Sequence, residues 1–410
     1  MSRKQYLIIV LLLGALSTIS PFSIDMYLPG FPAMAKDLNT TITQIQLSLT
    51  AYLIGIAAGQ LLYGPLLDRF GRKPPLYAGL LVYIVSSAGC AFSTSIESLM
   101  AMRFLQALGG CVGMVAAQTL VRDLFPTNKM PHAFSSITLV IAVSPMVAPT
   151  VGGYLTAAWG WPSVFWTLAT LTLLIVAGIY WLLPEGKKAD ASLSLKPRAV
   201  LKNFYGVTKE PQFIIYTLAG GIAMSAPFAY IAASADVFMN VYGWSEREYG
   251  WIFAIIASGI IGTAQLNHLL LKRYTSQQLV NYTFFYQTIV GTLLIAGTWA
   301  GWYDKWVLVA MVFLFLAGQG LTGPNSSALA LAPFSRHAGS AASLLGSFRM
   351  TIGGLVSAWV SAWHDGTALP MAVTMVTCVL TGLLMLGSGK VAIRYRARKK
   401  EVEEKPQVLM

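Results

Sequence analysis

The sequence predicts an all-α polytopic membrane protein, with twelve transmembrane helices in two six-helix halves. Three observations carry that prediction. Of 410 residues, 56% are hydrophobic and only 11% charged, whereas about a quarter of the residues of a soluble domain are charged. The apolar residues fall into twelve runs, each roughly the 20 residues that a helix needs to cross about 30 Å of hydrocarbon. The basic residues are one-sided: of the 28 Lys and Arg, all but Lys36, Arg103, Arg247, Lys305 and Arg349 fall in intervals on the side of the N-terminus.

The predicted spans are 6–34, 44–67, 75–93, 97–121, 133–158, 162–183, 212–241, 247–271, 277–300, 304–331, 339–363 and 369–391. Helix is the open-chain solution, because lipid offers no partner to bare backbone groups. The charge asymmetry is the positive-inside bias and places both termini in the cytoplasm. It makes the net charge of +12 a topology signal, implies no nucleic-acid partner, and leaves membrane lipid as the partner of the basic tail Arg394 to Lys400.

Met1 to Lys4 followed by the apolar run from Tyr6 to Leu16 has the outline of a signal peptide. The run continues without a small-residue cleavage site, so the expectation is a retained first helix. Asp25 lies some twenty residues into it and is the one acid buried in the N-terminal half. An ionised carboxylate in a bilayer costs a few kcal/mol, so such a group faces a cavity where it can titrate, or is paired for good. That makes Asp25 the first candidate for a proton carrier, and Pro29 and Pro32 mark the bent outer end of its helix.

Between the second and third spans stand Gly64, Pro65, Asp68, Arg69, Gly71, Arg72 and Lys73, where glycine permits a tight turn and the charges can reach neighbouring helix ends. The fourth span carries Leu99, Arg103, Gln106 and Gly109 and is followed by Asp123. Arg103 and Gln106 are three apart and share a face. In the fifth, Pro145, Pro149, Gly152 and Gly153 describe a kinked helix with a flat, closely approachable face, suited to an interface with the eighth. The longest polar interval, 184–211, is a linker joining an N-terminal half, 1–183, to a C-terminal half, 212–391, before a cytoplasmic tail, 392–410. The short intervals on the opposite side argue against an external domain.

In the C-terminal half Asp236 lies near the outer end of the seventh span, and Arg349 about ten residues into the eleventh. A buried cation needs a carboxylate partner or an anionic ligand; Asp236 is a possible partner by charge, and the ligand alternative has Arg349 selecting substrates with an anionic or strongly accepting group. Phe22, Tyr27, Tyr52, Met224, Phe228, Tyr230 and Phe253 suit the adaptable walls of a substrate cavity. Tyr27, Gln106, Tyr230 and Arg349 are the candidate substrate-binding residues. Cys90, Cys111 and Cys378 have neither disulfide nor metal-like spacing, the four histidines are scattered, and there is no phosphate-cradling loop. No metal, no cofactor and no enzymatic activity are expected.

The six-plus-six pattern with a cytoplasmic central loop matches the parallel repeat of major-facilitator transporters, and the 64–75 segment resembles that superfamily's signature loop. The resemblance implies that Asp68 docks near Gly339 and a motif arginine pairs with Asp123. Gly64, Asp68, Arg69, Gly71, Arg72, Lys73 and Asp123 would then form a cytoplasmic gate favouring the outward-facing state. It also implies that Arg103 faces the first-helix acid, here Asp25, and joins it in proton coupling. The run around Pro145, Pro149, Gly152 and Gly153 is similar to the antiporter motif of drug:proton exchangers, with Ala148 where many members have Gly. With Ile24 to Pro32, Arg122–Asp123 and Ala338 to Gly346, the chain most resembles the Bcr/CflA branch, linked to bicyclomycin and chloramphenicol resistance. It departs at Pro162, where an Arg is common, and at Arg349, where an uncharged polar residue is usual.

The resemblance implies a proton-coupled secondary active exporter of small apolar or amphipathic compounds, working by alternating access as a monomer in a bacterial inner membrane, with a small-molecule substrate and protons as partners. A carrier of one dedicated metabolite, such as a siderophore, peptide or sugar, and a non-transporting membrane scaffold are the alternatives.

Overall fold

A computed structural model describes residues 3–126, 129–186, 189–190, 204–334 and 338–403. Among these, helices and their connecting turns account for the architecture, and no strand occurs. Each of the twelve predicted spans is met by one helix or one broken helix. α1 runs Arg3–Asp25 and continues through a short turn, Leu28–Gly30, into Phe31–Asp37. α2 is Ile42–Arg69, α3 Lys73–Ala91, α4 Ile96–Leu124, α5 Met130–Trp159 and α6 Pro162–Leu182. α7 comprises Pro211–Ala223, Ala226–Ala235 and a wider, π-type turn Asp236–Val241. α8 is Glu246–Leu270 and α9 Ser276–Trp299; α10 is split into Lys305–Ala317 and Gln319–Leu331; α11 is Ala338–Ala362 and α12 Leu369–Glu403.

The breaks follow from residue chemistry. Pro29 and Pro32 bring no backbone N–H, so the outer end of α1 cannot continue the regular ladder beyond Asp25. α7 breaks at Met224 and Ser225, just ahead of Pro227. Entries into several helices are capped by side-chain oxygens: Thr41 for α2, Ser95 for α4, Asp304 for α10, and capping boxes at Ser245–Glu248 and Thr275–Gln278 for α8 and α9. Such caps satisfy amide donors that have no partner within the helix.

Eleven segments are both long and apolar enough to cross a membrane. The twelfth helix, α11, is less apolar because it carries Arg349 and several serines, yet its 25 residues span roughly 37 Å at 1.5 Å per residue. The apolar part of α12 stops at Gly389, close to the predicted span end, and the helix runs on to Glu403, into the segment read as a tail. Lys, Arg, Ala and Glu are good helix formers, and the ladder they extend needs nothing from lipid. Most of the 184–211 linker, with Lys187, Lys188, Lys196, Arg198 and Lys202, lies outside the described residues.

Twelve crossings return the chain to the face on which it began; that face is called near, and the opposite one far. The two halves meet along two seams. In the first, α2 lies against α11: Ser347 donates to the Ala57 carbonyl at 3.0 Å, Thr50 to Ser357 Oγ at 3.2 Å, and Gly354 abuts Ile54. In the second, α5 lies against α8: Thr150 Oγ1 donates to the Gly250 carbonyl at 3.2 Å, and a Cβ on Gly250 would stand only 2.7 Å from Thr150 Cα. Small residues let the backbones approach this closely, which supplies the dispersion contact that drives helix association in lipid.

Candidate functional site

The motif loop at the near face is built around Arg72. Gly71 turns the chain with φ +81°, a conformation glycine adopts without a steric penalty. This aims the Arg72 guanidinium back under α2 and α4, where it is 6% exposed. Its Nη1 donates to Asp68 Oδ1 at 2.7 Å and to the Leu67 carbonyl at 3.0 Å; Nε and Nη2 donate to the Asp123 carboxylate at 2.7 and 3.3 Å. Burial alone would lower the Arg72 value, but the hydrogen bonds and charges of Asp123 and Asp68 outweigh it and the net shift is upward. Gly186 lies directly over this pair, since a Cβ there would stand 3.0 Å from Asp123 Oδ2. Lys73 reaches Glu185 at 3.2 Å, but Glu185 is largely exposed and the pair contributes little. A Cβ on Gly64 would stand 3.5 Å from Ser343 Oγ of α11, so the end of α2 lies beside the other half. The expected docking of Asp68 near Gly339 lies outside the side chains described, and Arg69 has partners of its own.

In the N-terminal half Arg103 is fully buried on α4. Its guanidinium lies between the rings of Tyr27 and Tyr52, 4.0 and 4.1 Å from their centroids. Nη1 donates to Gln106 Oε1 at 2.5 Å, and Nη2 to the Ser23 carbonyl at 2.8 Å. The Ser23 carbonyl belongs to the last turn of α1, where the helix has no further amide to offer it. Gln106 is fixed in turn by donating to Ser87 Oγ at 2.8 Å, and Ser23 Oγ meets the Tyr83 hydroxyl at 2.5 Å. This polar core ties α1, α3 and α4 together. Tyr83 and Ser87 were not singled out in the sequence, although four-residue spacing of polar groups in an apolar span was the available signal.

The structure corrects one expectation here: Arg103 does not reach Asp25. It satisfies the carbonyl two residues earlier, and Asp25 is 4% exposed with no hydrogen bond or ion pair among the described residues. Asp25 sits where the far face is shut. The turn Leu28–Gly30 packs on α7 and α8, and Tyr230 and Tyr249 of the other half are within its electrostatic reach. Gly152 of α5 abuts the Met26 carbonyl, Gly153 abuts Glu246 of α8, and the Arg247 guanidinium lies 5.3 Å over the Tyr154 ring. Pro145 and Pro149 lie inside α5. The four expected motif positions of α5 thus lie on the helix that makes the α5–α8 seam.

Tyr27, Gln106 and Tyr230 are buried: Tyr27 and Gln106 belong to the Arg103 core, and Tyr230 stacks on Phe253 with centroids 5.3 Å apart. None of them, nor Arg349, lines either of two cavities in the N-terminal half. A groove of about 440 Å³ lies between α1 and α5, lined by Ala15, Thr18, Phe22, Leu139, Val140, Val143, Ser144 and Val147. A smaller cavity of about 80 Å³ lies between α1, α4 and α5.

A second correction concerns Asp236. It is 3% exposed, accepts from Asn240 at 2.7 Å and pairs with His364 at 3.2 Å, so it is not the partner of Arg349. Arg349 Nη2 donates to Ser326 Oγ at 3.1 Å and to the Gly323 carbonyl at 3.4 Å, both on α10. Among the described residues no group of three or more His, Cys, Asp or Glu side chains is arranged to hold a metal ion.

The comparisons agree with this architecture. Over 382 residues the chain is 31% identical to a bicyclomycin resistance protein homolog of Haemophilus influenzae, covering 93% of this chain and 96% of that protein. It is 30% identical to a chloramphenicol resistance protein of Pseudomonas aeruginosa, with 90% and 88% covered. Among solved structures, a D-xylose-proton symporter superposes with a TM-score of 0.74 at 15% identity, covering 94% of this chain and 97% of that one, which establishes the fold alone. The Major Facilitator Superfamily model matches residues 13–358, and the chain belongs to that family of membrane transporters.

Proposed function

We propose that this transporter is a proton-coupled exporter of small apolar and amphipathic compounds, with Asp25 as the proton carrier. The observation that carries the reading is the isolation of Asp25: a carboxylate buried at the far end of a membrane helix, with no hydrogen bond or ion pair among the described residues. An ionised group in that position costs about 3 kcal/mol on insertion scales, and a neutral acid removes most of that cost. Protonation of Asp25 from the far side therefore favours closing the far face over it. Loss of that proton on the near side, coupled to substrate loading, favours opening it again. Exchange of one proton for one substrate follows if the two steps compete.

The remaining parts have assignments consistent with this cycle. The Arg72 hub with Asp68 and Asp123, together with Gly64, Arg69, Gly71 and Lys73, works as the near-face gate. Pro145, Pro149 and Gly153 belong to the α5–α8 seam that must open and close at the far face, and Gly152 seats the end of α1 against α5. Arg103 positions the end of α1 by holding the Ser23 carbonyl, and so bears on Asp25 indirectly. The apolar groove between α1 and α5 is within the 300 to 1,000 Å³ range of ligand sites. The drug-resistance names of the relatives support export of drug-like molecules. The near face is taken as the cytoplasmic side of a bacterial inner membrane, and the working unit as a monomer.

The test is substrate-induced proton release from the purified protein in weakly buffered detergent, with chloramphenicol-like and bicyclic-peptide-like compounds as probes. Release in the wild type and none in Asp25→Asn is the expected result. Equal release in both would move the proton site elsewhere and sink the assignment.

A further inference from the structure

We infer that Arg349 is the binding point for an anionic group, a carboxylate or a similar oxyanion, on an amphipathic molecule carried by this protein. The inference rests on the transporter reading and adds a substrate class to it.

A guanidinium has five N–H donors and no acceptor. In Arg349 the two on Nη2 are used, toward Ser326 Oγ and the Gly323 carbonyl. Nε is buried with no acceptor, and Nη1 has none among the described residues. Three donors therefore have no protein acceptor among the described residues, and of these the Nε donor is fully buried. Neither partner carries a charge, and the acid nearest in kind, Asp236, is taken by His364 and Asn240. No ion pair to Arg349 occurs among the described residues.

Arginine does not escape burial by losing its proton, so the charge persists in the membrane interior. Buried charges retained without a partner there mark pathways for charged cargo. The planar fork fits an oxyanion, which can take two N–H bonds side by side. The position suits a ligand as well. Arg349 stands on α11 with its Cγ beside Gly221 of α7, and its bound oxygens are on α10. α7 and α10 are both broken helices, as expected where backbone lines a cavity and not lipid. Met224 packs beside Gly323, and Phe228 beside Gly353 one turn along α11. An oxyanion held by Arg349 would thus have apolar walls for the rest of its molecule.

Arg103 provides the internal contrast. It too lies within a membrane span, but it is held against two aromatic rings, a carbonyl and an amide oxygen. Arg349 has no such enclosure and remains partly accessible.

The experiment uses the full chain in detergent and a series of acid and methyl-ester pairs led by 1-pyrenebutyrate, whose fluorescence reports binding. The wild type should prefer each acid over its ester, by roughly 30-fold for the best pair, the low end of what a desolvated charge pair contributes. Arg349→Gln should lose that preference while ester binding stays the same. Arg349→Lys, which keeps the charge and loses the fork, should fall between and guards against a folding failure of the glutamine variant. Equal binding of every acid and ester by the wild type overturns the inference. So does a parallel loss of acid and ester binding in both variants, which is a structural role. Displacement of 1-pyrenebutyrate by added phosphatidylglycerol would assign the site to a lipid headgroup and also overturn it. Asp25→Asn is measured alongside: an intact acid preference with altered proton release separates this inference from the proton assignment.

Discussion

Replacing Gly250 with alanine tests whether the α5–α8 seam is the far-face gate. The added Cβ would stand 2.7 Å from Thr150 Cα and 2.8 Å from the Pro149 carbonyl oxygen. Ordinary carbon contacts lie at about 3.5–4.0 Å, so the two helices must part by about 1 Å. Both obstacles are backbone atoms, and no rotamer change relieves them. The capping box at Ser245 and Glu248 stiffens the first turn of α8 as well. Overpacking of this kind costs about 1–3 kcal/mol. The contact joins the two halves, so the cost falls on the far-closed state alone and shifts the closed-to-open ratio by about 5- to 150-fold. Spin labels on Trp159→Cys and Trp302→Cys, both highly exposed at the far face, would report the separation by pulsed electron resonance once the three buried cysteines are replaced. Gly250→Ala should enrich a longer distance. Gly152→Ala is the control, because its clash with the Met26 carbonyl is internal to one half. It should lower thermal stability without adding the longer distance. If Gly250→Ala behaves like the control, with reduced stability and one unchanged distance, the seam is packing and not a gate.

Arg72→Gln removes the donor that joins Asp68 and Asp123 and takes two charge-assisted hydrogen bonds from the Asp123 carboxylate, 14% exposed; denaturation in detergent should show a loss of about 2–3 kcal/mol. Lys73→Gln, whose partner is mostly exposed, should cost less than about 1 kcal/mol in the same assay. Arg103→Lys keeps the charge but cannot bond Gln106 and the Ser23 carbonyl as a fork while filling the gap between two rings. It should lower stability by about 2–4 kcal/mol, and hydrogen exchange at the end of α1 should rise.

The helices were legible because each crossing must supply a long apolar run. Boundaries agreed to within a few residues wherever a cap, a proline or a glycine marks an end, as Thr41, Pro162 and Ser245 do. α12 continues past its predicted membrane span because hydropathy reports where lipid stops and not where a helix stops. The Arg72–Asp123 pair was foreseeable from a motif, since both residues sit at helix ends whose register is narrow. The fate of Arg103 was not. Its sequence neighbours do not reveal that the last turn of α1 offers a bare carbonyl at Ser23, two residues short of the acid. His364 and Asp236 lie 128 positions apart, and their meeting depends on how α7 unwinds into a π-type turn at Asp236. Pairings that need the exact end of a broken helix are invisible to periodicity.

The buried charges sort themselves by how completely they are satisfied. Arg103 has aromatic faces above and below and oxygens at its edge; a rearrangement that moved it would have to break all of these together, so it is built to stay. Asp236 has both His364 and Asn240, one charged when protonated and one neutral, and retains a partner when the other leaves. Among the described residues Asp25 has no partner, and Arg349 has two neutral oxygens for five donors. A membrane protein bears the cost of an unsatisfied charge throughout its life, and structural need does not explain that cost at either site, because an apolar side chain of similar size would pack more cheaply. Asp25 is small, lies at the far-face seal and can be neutralised by a single proton. Arg349 cannot be neutralised by losing one and lies between two broken helices. On the proposed reading the first would serve a proton and the second an anion, which would divide the work of exchange between the halves.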